Sequence, residues 1–250
     1  ARVLLIGTGS LGSVVAQLLA RAGVGTMVLL DSQVMEAENT ARHALGLRHT
    51  GHAKAPELAD EIKRAIPGID IQGIRADASS WLVKLSEVNS FDLVVDCSAE
   101  RSVRQTITML RGPKFGLTPV VHAWIEPMCS AGHVVLTQPD DPWPVNDPTN
   151  ALVNASDLSV DDTRITNPAC SAGFHPYGAA DVTQVAAFAV ERILTVLDKP
   201  STPSTVWSWV RSQAFFDSLP MPVKTRPIVP QGGGKMDAAT VTRPLREVLG

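Results

Sequence analysis

Short apolar runs alternate with amphipathic stretches along the first half of the chain. The runs Arg2–Ile6 and Thr26–Leu30 stop at a glycine and at an aspartate, respectively, which predicts two buried strands. Between them, Ser10–Ala22 repeats its apolar residues at helical spacing and is followed by Gly23, a residue type that commonly ends helices. The chain is therefore predicted to open with a strand, a helix and a second strand.

The alternation continues further along the chain. It predicts strands at Ile69–Arg75, Phe91–Asp96, Pro119–Trp124 and His133–Thr137, an edge strand or short helix at Thr205–Val210, and helices at Lys54–Ala65, residues 101–111 and Ala179–Leu197. Strands and helices that alternate at these lengths predict an α/β, Rossmann-like, doubly wound fold, with a mostly parallel sheet and helices on both faces. Ligands of such sheets bind at the carboxyl ends of the strands.

Two stretches interrupt this alternation. Residues 138–176 are rich in Pro, Asp, Asn and Ser, which predicts a long crossover loop of the kind that serves as a lid or a binding loop. From Pro220 onward, prolines and a run of three glycines predict an extended tail. We therefore expect one domain over residues 1–200, with the long loop inside it, and a C-terminal extension over residues 201–250.

The composition narrows the class of protein. Apolar residues make up 44% of the 250 residues and the net charge is −3, which is typical of a globular domain and provides no basic surface for nucleic acid. No apolar run has the length needed to span a membrane. Three widely separated cysteines predict neither a disulfide framework nor a cysteine-held zinc ion, so a cytoplasmic location is the default. Because a central strand begins at the second residue, we expect the sequence to be a piece of a longer protein.

A glycine pattern follows the first strand. Gly7, Gly9 and Gly12 have the spacing Gly-x-Gly-x-x-Gly, in which the glycines permit a tight turn, approach of the backbone to a phosphate, and close packing of the helix. Asp31 stands nineteen residues after Gly12, at the end of the second strand, where a carboxylate can accept hydrogen bonds from ribose hydroxyls. The pattern predicts an adenine-nucleotide site, with a purely structural turn as the competing interpretation, and does not separate NAD(P) from ATP.

Polar and cationic residues follow Asp31. Asn39 and Arg42 are three residues apart, so on one helical turn they share a face, and Lys54 stands at the start of the next predicted helix. Nucleotidyl transfer needs positive groups around the phosphates, whereas hydride transfer needs a nicotinamide pocket and a proton donor. The residues favour ATP chemistry, although Arg42 and Lys54 could be surface charges and Asn39 could cap a helix.

The order of these motifs resembles that of the ThiF/MoeB/ubiquitin-activating superfamily. The resemblance covers residues 2–137 and rests on the glycine loop, Asp31, Asn39-x-x-Arg42, Gly51-x-x-Lys54 and the strand DLVVDC. It implies an adenylyltransferase that uses ATP and Mg²⁺ to adenylate the C-terminal carboxylate of a ubiquitin-like or sulfur-carrier protein. It also implies a homodimer and a conjugating-enzyme-like partner, and the pair Arg42-His43 is similar to the bacterial branch.

The resemblance also implies residue roles. Asp31 would hold the ribose, Asn39 and Arg42 would contact the phosphates, and Lys54 would reach the α- and β-phosphates. The bound nucleotide would thus lie against Gly7, Gly9 and Gly12, with residues 1–200 forming the adenylation domain.

The sequence departs from the superfamily pattern at the metal site. The position of the usual metal-binding carboxylate is occupied by Ala99, which cannot bind a cation. We therefore expect Asp96 to be the Mg²⁺ ligand, with Glu100 as the alternative; Asp96 could instead cap the following helix. Arg104 matches an arginine of the superfamily and is expected to be a structural partner.

The cysteines depart from the pattern as well. The two C-x-x-C pairs that hold a structural zinc ion in the superfamily are missing, so no zinc is expected. Cys170 stands where the last zinc ligand would be, in a polar loop, and is our candidate for a nucleophile that takes the acyl group into a thioester. Cys129 is the rival candidate, and Cys97 is expected to be a core residue.

Further polar residues have two interpretations each. Trp124, Glu126 and His133 stand near strand ends, and could shape a path for the partner's tail or could pack in the core. Three closely spaced histidines are expected at the surface or in polar packing rather than at a metal, because no further ligands accompany them: His43, His49 and His52.

Two rivals to adenylation stay open at this point. An NAD(P)-dependent oxidoreductase would bind reduced nicotinamide and release no pyrophosphate. A degenerate, non-catalytic scaffold that only binds a nucleotide or a partner is favoured by Ala99.

Overall fold

The strands that the apolar runs predict assemble into one sheet. The computed structural model describes residues 1–86, 88, 90–159, 165–166, 173–174 and 177–250. The strands within these residues are β1 (Arg2–Ile6), β2 (Thr26–Asp31), β3 (Asp70–Arg75), β4 (Leu93–Asp96), β5 (Val120–Ile125), β6 (Ala131–Thr137), β7 (Ile165–Thr166), β8 (Gly173–Phe174), β9 (Thr205–Arg211) and β10 (Ala238–Pro244). Of these, β7 and β8 form a separate antiparallel pair.

Helices connect and flank these strands. Those in the described residues are α1 (Ser10–Arg21), α2 (Lys54–Ala65), α3 (Ala78–Lys84), α4 (Arg101–Leu110), α5 (Ala179–Asp198), α6 (Gln213–Asp217) and α7 (Leu245–Leu249). None of them has the length and apolar character needed to cross a membrane. Among the helices predicted from the sequence, α1, α2, α4 and α5 agree within one or two residues at each end.

The sheet has the strand order β10-β9-β6-β5-β4-β1-β2-β3. The strands from β3 to β5 in this order run parallel, and β6, β9 and β10 are joined to them by antiparallel pairing. Chain order reverses beside β1, since β2 lies on one side of it and β4 on the other. Such a reversal opens a crevice at the carboxyl ends of the strands, where ligands of α/β sheets bind.

Alternate residues of β1 show how both faces are covered. Val3 and Leu5 join a core with α1, α2 and α5, whereas Leu4 and Ile6 join a second core with α3 and α4. All four side chains are buried. A strand buried on both faces must be apolar at every position, which is why it appears in the sequence as a continuous run. The predicted mostly parallel sheet with helices on both faces is confirmed.

The sheet continues past residue 200. Thr205–Val210, predicted as an edge strand or short helix, lies in β9, which is an interior strand between β6 and β10. No strand follows α6 until β10, which lies at the edge of the sheet. The sequence predicts only an extended tail for these residues. The strand is hard to predict because side chains of β10 are only exposed or half-buried, so it lacks an apolar run.

Within the predicted long loop, residues 138–159 contain one turn of π-helix at Thr149–Val153 and neither an α-helix nor a strand, and the short strands β7 and β8 lie further along the same loop. Trp143 and Val153 are buried and pack with Trp124 of β5 and Val206 of β9. The loop thus covers one face of the sheet's antiparallel part.

Candidate functional site

The glycine loop forms the turn from β1 to α1. Gly7 has φ +82°, and a Cβ atom there would lie 2.6 Å from the Ser98 backbone nitrogen, so the position requires glycine. A Cβ atom on Gly12 would lie 1.9 Å from the Gly7 carbonyl oxygen. Gly9, by contrast, has open space on its Cβ side and is the N-cap of α1, which has no side-chain cap. The amides that begin α1 are therefore suited to an anion.

Asp31 links the end of β2 to the glycine loop. Its Oδ2 atom accepts hydrogen bonds from the Thr8 backbone N–H at 2.7 Å and from the Thr8 hydroxyl at 3.1 Å. Its Oδ1 atom accepts from the Gln33 N–H at 2.8 Å. Asp31 lines a cleft at the carboxyl ends of β1, β2 and β4, together with Gly7, Gly9 and Ser98. The structure thus puts the predicted ribose-binding carboxylate beside the predicted phosphate loop.

A second cavity adjoins this cleft and shares two of its lining residues, Gly9 and Gln33. The other residues that line it are Ser10, Asn39, Arg42, His43 and Lys54. The polar residues singled out in the sequence are therefore brought together at the amino end of α1. Positive side chains and helix amides that line one cavity are chemically suited to a polyphosphate.

Lys54 is a buried cation. Its Nζ atom donates to the Gln33 Oε1 atom at 2.7 Å, and its side chain is almost fully removed from solvent. Burial lowers the pKa of Lys54, while the neighbouring Asp31 and Glu36 carboxylates raise it. The nearby positive charge of Arg42 lowers the pKa of Lys54 further. The Arg42 guanidinium carbon itself lies 5.2 Å from the centre of the Tyr177 ring. A partly desolvated pair of cations gains strongly from an arriving anion.

Asn39 has a capping contact as well as a place in the cavity. Its Oδ1 atom accepts from the Glu36 N–H at 3.1 Å, at the start of the 3₁₀ turn Ala37–Ala41. Arg42 directly follows this turn. The local cap thus fixes the segment that carries Asn39 and Arg42, and contact of either residue with a phosphate stays a prediction.

Asp96 lies beneath the cleft. It is 1% exposed, and its Oδ2 atom is 2.9 Å from the His122 Nδ1 atom. Its Oδ1 atom accepts from both the backbone N–H and the hydroxyl of Ser98. Burial alone would raise the pKa of Asp96, but the His122 and Ser98 contacts hold it below its ordinary value. These Ser98 contacts form a local turn, whereas α4 begins after Glu100 and has no side-chain cap, so Asp96 does not cap the following helix, which was the competing interpretation.

Glu100, the alternative carboxylate, is exposed and lines the cleft. Between the two carboxylates, Ala99 adopts φ +58°, a left-handed conformation that residues with a Cβ atom seldom adopt. In the described part of the chain, no three His, Cys, Asp or Glu side chains are grouped so as to hold a metal ion. A cation held also by phosphate oxygens and water would need fewer protein ligands.

Comparison with known proteins agrees with this geometry. The sequence profile described as the ThiF family matches residues 1–226. The chain belongs to the ThiF family.

Two curated relatives illustrate the range of the family. This ThiF-family chain is 27% identical over 205 residues to the ATP-dependent ubiquitin transferase-like protein Cap2 of Enterobacter hormaechei subsp. hoffmannii, an alignment covering 80% of the chain and 33% of Cap2. It is 35% identical over 109 residues to the molybdopterin-synthase adenylyltransferase of Escherichia coli, covering 42% of the chain and 43% of that protein. The chain thus spans less than half the length of either relative.

Among solved structures, E. coli MccB with AMPCPP and MccA resembles this chain with a TM-score of 0.62 at 15% identity, covering 93% of the chain and 66% of MccB. At this identity the likeness establishes the fold of the ThiF-family chain and no more.

The structure describes two of the three cysteines, and both are buried. Cys170, the candidate thioester cysteine, lies outside the described residues. Cys129, its rival, is fully buried, and burial raises the pKa of its thiol to about 12. Such a thiol is a poor nucleophile. Cys97 packs in the core between the sheet and α1, as expected from the sequence.

Other expected side chains have structural contacts. Arg104 forms a buried, bidentate ion pair with Asp147, with Nη2 2.8 Å from Oδ2, which confirms its role as a structural partner. Glu126 and His133 are buried and paired at 2.7 Å, and the Glu126 carboxylate accepts from the Ala155 N–H. Trp124 donates through its indole nitrogen to Asn154. Glu126 and Trp124 thus hold the long loop onto the sheet and His133 supports Glu126, which is the packing interpretation.

The histidines near Arg42 divide into two kinds. His52 is exposed, whereas His49 is buried and its Nδ1 atom lies 2.8 Å from the Glu57 carboxylate. His43 is also buried, and its Nε2 atom is 2.6 Å from the Thr8 carbonyl oxygen. Polar packing, one of the two expected roles, is thus confirmed for His43 and His49. The contact between His43 and the glycine loop was missed, because only the position directly after Arg42 could have suggested it.

Proposed function

We propose that this chain adenylates the C-terminal carboxylate of a ubiquitin-like or sulfur-carrier protein, using ATP and Mg²⁺. The observation that carries the proposal is the cavity where Arg42 and Lys54 lie at the amino end of α1. Two groups of fixed positive charge beside helix amides suit a triphosphate, and nothing in hydride transfer requires them. The names of the relatives support the reaction class, since one is an adenylyltransferase and another a ubiquitin transferase-like protein.

The reaction follows from the arrangement of charge. One oxygen of the partner's carboxylate attacks the α-phosphorus of ATP in line, the bond to the bridging oxygen breaks, and pyrophosphate leaves with that electron pair. The product is an acyl-adenylate. The role of Arg42, Lys54 and the α1 amides is to stabilise the negative charge that shifts toward the leaving pyrophosphate. A carboxylate needs no deprotonation at neutral pH, so positioning and charge stabilisation supply the rate without a general base.

The test is ATP–pyrophosphate exchange in the presence of a candidate ubiquitin-like or sulfur-carrier protein. The proposal expects exchange that depends on the free C-terminus of that protein. Binding of reduced nicotinamide without exchange would support the oxidoreductase instead. ATP binding without exchange for any carrier would support the non-catalytic scaffold, the second candidate, which is favoured by the alanine at position 99.

For the metal, we propose Glu100 rather than Asp96 as the protein ligand. Mg²⁺ prefers carboxylate and phosphate oxygens, and Glu100 is exposed on the cleft, whereas the Asp96 oxygens have protein partners. When bound, Mg²⁺ would neutralise charge on the phosphate oxygens. The contact of Asp96 with His122 is then structural.

Replacing Glu100 with glutamine is expected to raise the Mg²⁺ concentration for half-maximal exchange at least about tenfold, as loss of one charged contact would. Replacing Asp96 with asparagine should lower stability and leave the Mg²⁺ dependence of the remaining activity unchanged. A magnesium titration of both variants decides between them, and a shift only in Asp96→Asn would restore the original assignment.

We further propose that Cys170 takes the acyl group from the adenylate as a thioester, a step that rests on the sequence. The thiolate would attack the acyl carbon, and AMP would leave. The expected result is an adduct with the carrier that reducing agent removes and that Cys170→Ser lacks on denaturing gels. Cys129→Ser is the control, since its buried thiol should not react. An adduct that persists in Cys170→Ser would exclude this step.

Two assembly proposals follow from the family. We propose a homodimer, which light scattering would show as twice the chain mass of 26.6 kDa. We also propose that a conjugating-enzyme-like protein receives the acyl group if the thioester forms.

A further inference from the structure

Thr8, between the first two glycines of the loop, has its polar groups held by side chains from two other segments. Its N–H and hydroxyl donate to Asp31, and its carbonyl oxygen is 2.6 Å from the His43 Nε2 atom. Thr8 itself has no exposed surface. The conformation of the loop is therefore set from one side by the predicted ribose-binding carboxylate and from the other side by His43.

The hydrogen-bond partners of His43 fix its tautomer. The Leu45 backbone N–H lies 3.0 Å from the Nδ1 atom and can only donate, so Nδ1 is the acceptor. The proton is then on Nε2, where it is donated to the Thr8 carbonyl. Burial is the main cause that lowers the pKa of His43 to about 4, with Lys54 lowering it and Asp31 raising it. The imidazole is thus neutral around pH 7 and adds no charge to the cavity.

The same segment is tied to α1. The Ala44 N–H donates to the Ser13 hydroxyl at 3.1 Å, and the His43 N–H donates to the Asn39 carbonyl at 2.9 Å. Arg42 lies between these anchors. Hydrogen bonds of His43 and Ala44 consequently join the Arg42 segment to the glycine loop and to α1.

We propose that His43 is a positioning residue, whose neutral imidazole locks the glycine loop against the Arg42 segment so that loop amides and guanidinium face the same phosphates. This inference rests on the proposed function for its ligand, ATP, and goes beyond it in naming a residue that touches no phosphate. The His43 contact differs from generic packing, because it ends on a carbonyl of the loop itself.

Two matched variants separate the effect of the hydrogen bond between His43 and Thr8 from the effect of burying a polar side chain at position 43. The side chain of His43→Gln can put an amide N–H near the position of Nε2, whereas His43→Asn is too short to reach Thr8 and can replace only the Nδ1 acceptor. Both variants are neutral and polar. His49→Gln is the control, since His49 is likewise buried and hydrogen-bonded but contacts Glu57 on α2.

Two measurements are made on each variant, the Kd of ATP by calorimetry and the hydrogen exchange of the peptide that covers residues 7–12. For His43→Asn we expect ATP binding to weaken at least about tenfold, with faster exchange in the loop, as for loss of one buried hydrogen bond. His43→Gln should stay within about threefold of the native chain, and His49→Gln should match it. The KM of ATP should rise in His43→Asn more than kcat falls.

Equal ATP affinity in His43→Asn and the native chain would overturn the inference, as would equal losses in His43→Gln and His43→Asn. If the native chain binds no ATP, the proposed function fails, and loop exchange still decides whether His43 holds the loop. Unchanged exchange in His43→Asn would then reject His43 as the lock.

Discussion

Replacing Arg42 with alanine, or Lys54 with methionine, is expected to lower kcat/KM for ATP–pyrophosphate exchange by about a thousandfold. Removal of one preorganised group that stabilises transition-state charge costs on the order of 10²–10³ in rate, and a full charge facing a polyphosphate belongs at the upper end. Both side chains line the cavity at the start of α1. Methionine is chosen for Lys54 because it fills the buried space of the lysine stem without its charge.

Folding and chemistry can be separated in this experiment. The fold should persist in both variants, with circular dichroism and the urea midpoint close to those of the native chain. Arg48→Ala is the control, since Arg48 is 70% exposed and pairs with Glu61 away from the cavity. Its exchange rate should be normal. Normal turnover in a folded Arg42→Ala or Lys54→Met would show that the phosphate site has been wrongly assigned.

Replacing Asp147 with asparagine is expected to lower the free energy of unfolding by about 3 kcal/mol or more, because it leaves the Arg104 guanidinium buried without a counter-charge. Asparagine keeps the shape and tolerates the φ of +49° at this position, so the loss reports on the charge and on the acceptor oxygen that the amide nitrogen replaces. Although burial opposes it, hydrogen bonds from Arg104 and Thr149 hold the pKa of Asp147 below its ordinary value. Its contribution is therefore complete above the unfolded pKa, and is lost as pH falls through the folded pKa.

Urea denaturation at pH 7 and at low pH measures both effects. The difference in stability between the native chain and Asp147→Asn should shrink in acid, since the native carboxyl is then neutral as well. Hydrogen exchange of the peptide that contains Trp143, whose indole donates to Asp147, offers a local signal for loosening of the loop. Arg48→Ala serves again, because breaking its exposed pair with Glu61 should cost less than about 1 kcal/mol. If Asp147→Asn lowers the free energy of unfolding no more than Arg48→Ala does, the ion pair between Arg104 and Asp147 does not anchor the loop.

Much of the fold could be predicted because a parallel strand buried on both faces has to be apolar throughout. Such strands are visible as runs, and two glycines of the turn from β1 to α1, Gly7 and Gly12, are forced by close backbone contacts. The strand β10 was not predicted, because its side chains are exposed or half-buried and the strand therefore need not be apolar throughout. The helix α3 was not predicted either, since seven residues are too few for a convincing helical period.

The candidate site was predictable where its residues are close in the chain or share a motif. The glycine loop, Asp31 and the Arg42 turn follow one another in the first strand–helix–strand unit and the turn that comes after it. The partners of Asp96 and Arg104 could not be predicted from the sequence, because His122 is 26 residues from Asp96 and Asp147 is 43 residues from Arg104. No periodicity links such pairs.

The sequence by itself determined most of the strands and helices, the glycine turn and the cations that accompany it, because local backbone geometry and burial restrict the residues allowed at each position. Only the tertiary structure decided which polar side chains meet: Asp96 with His122, Arg104 with Asp147, and His43 with the loop carbonyl. A buried polar group needs a partner, and that partner is supplied by whichever element the sheet order brings alongside it.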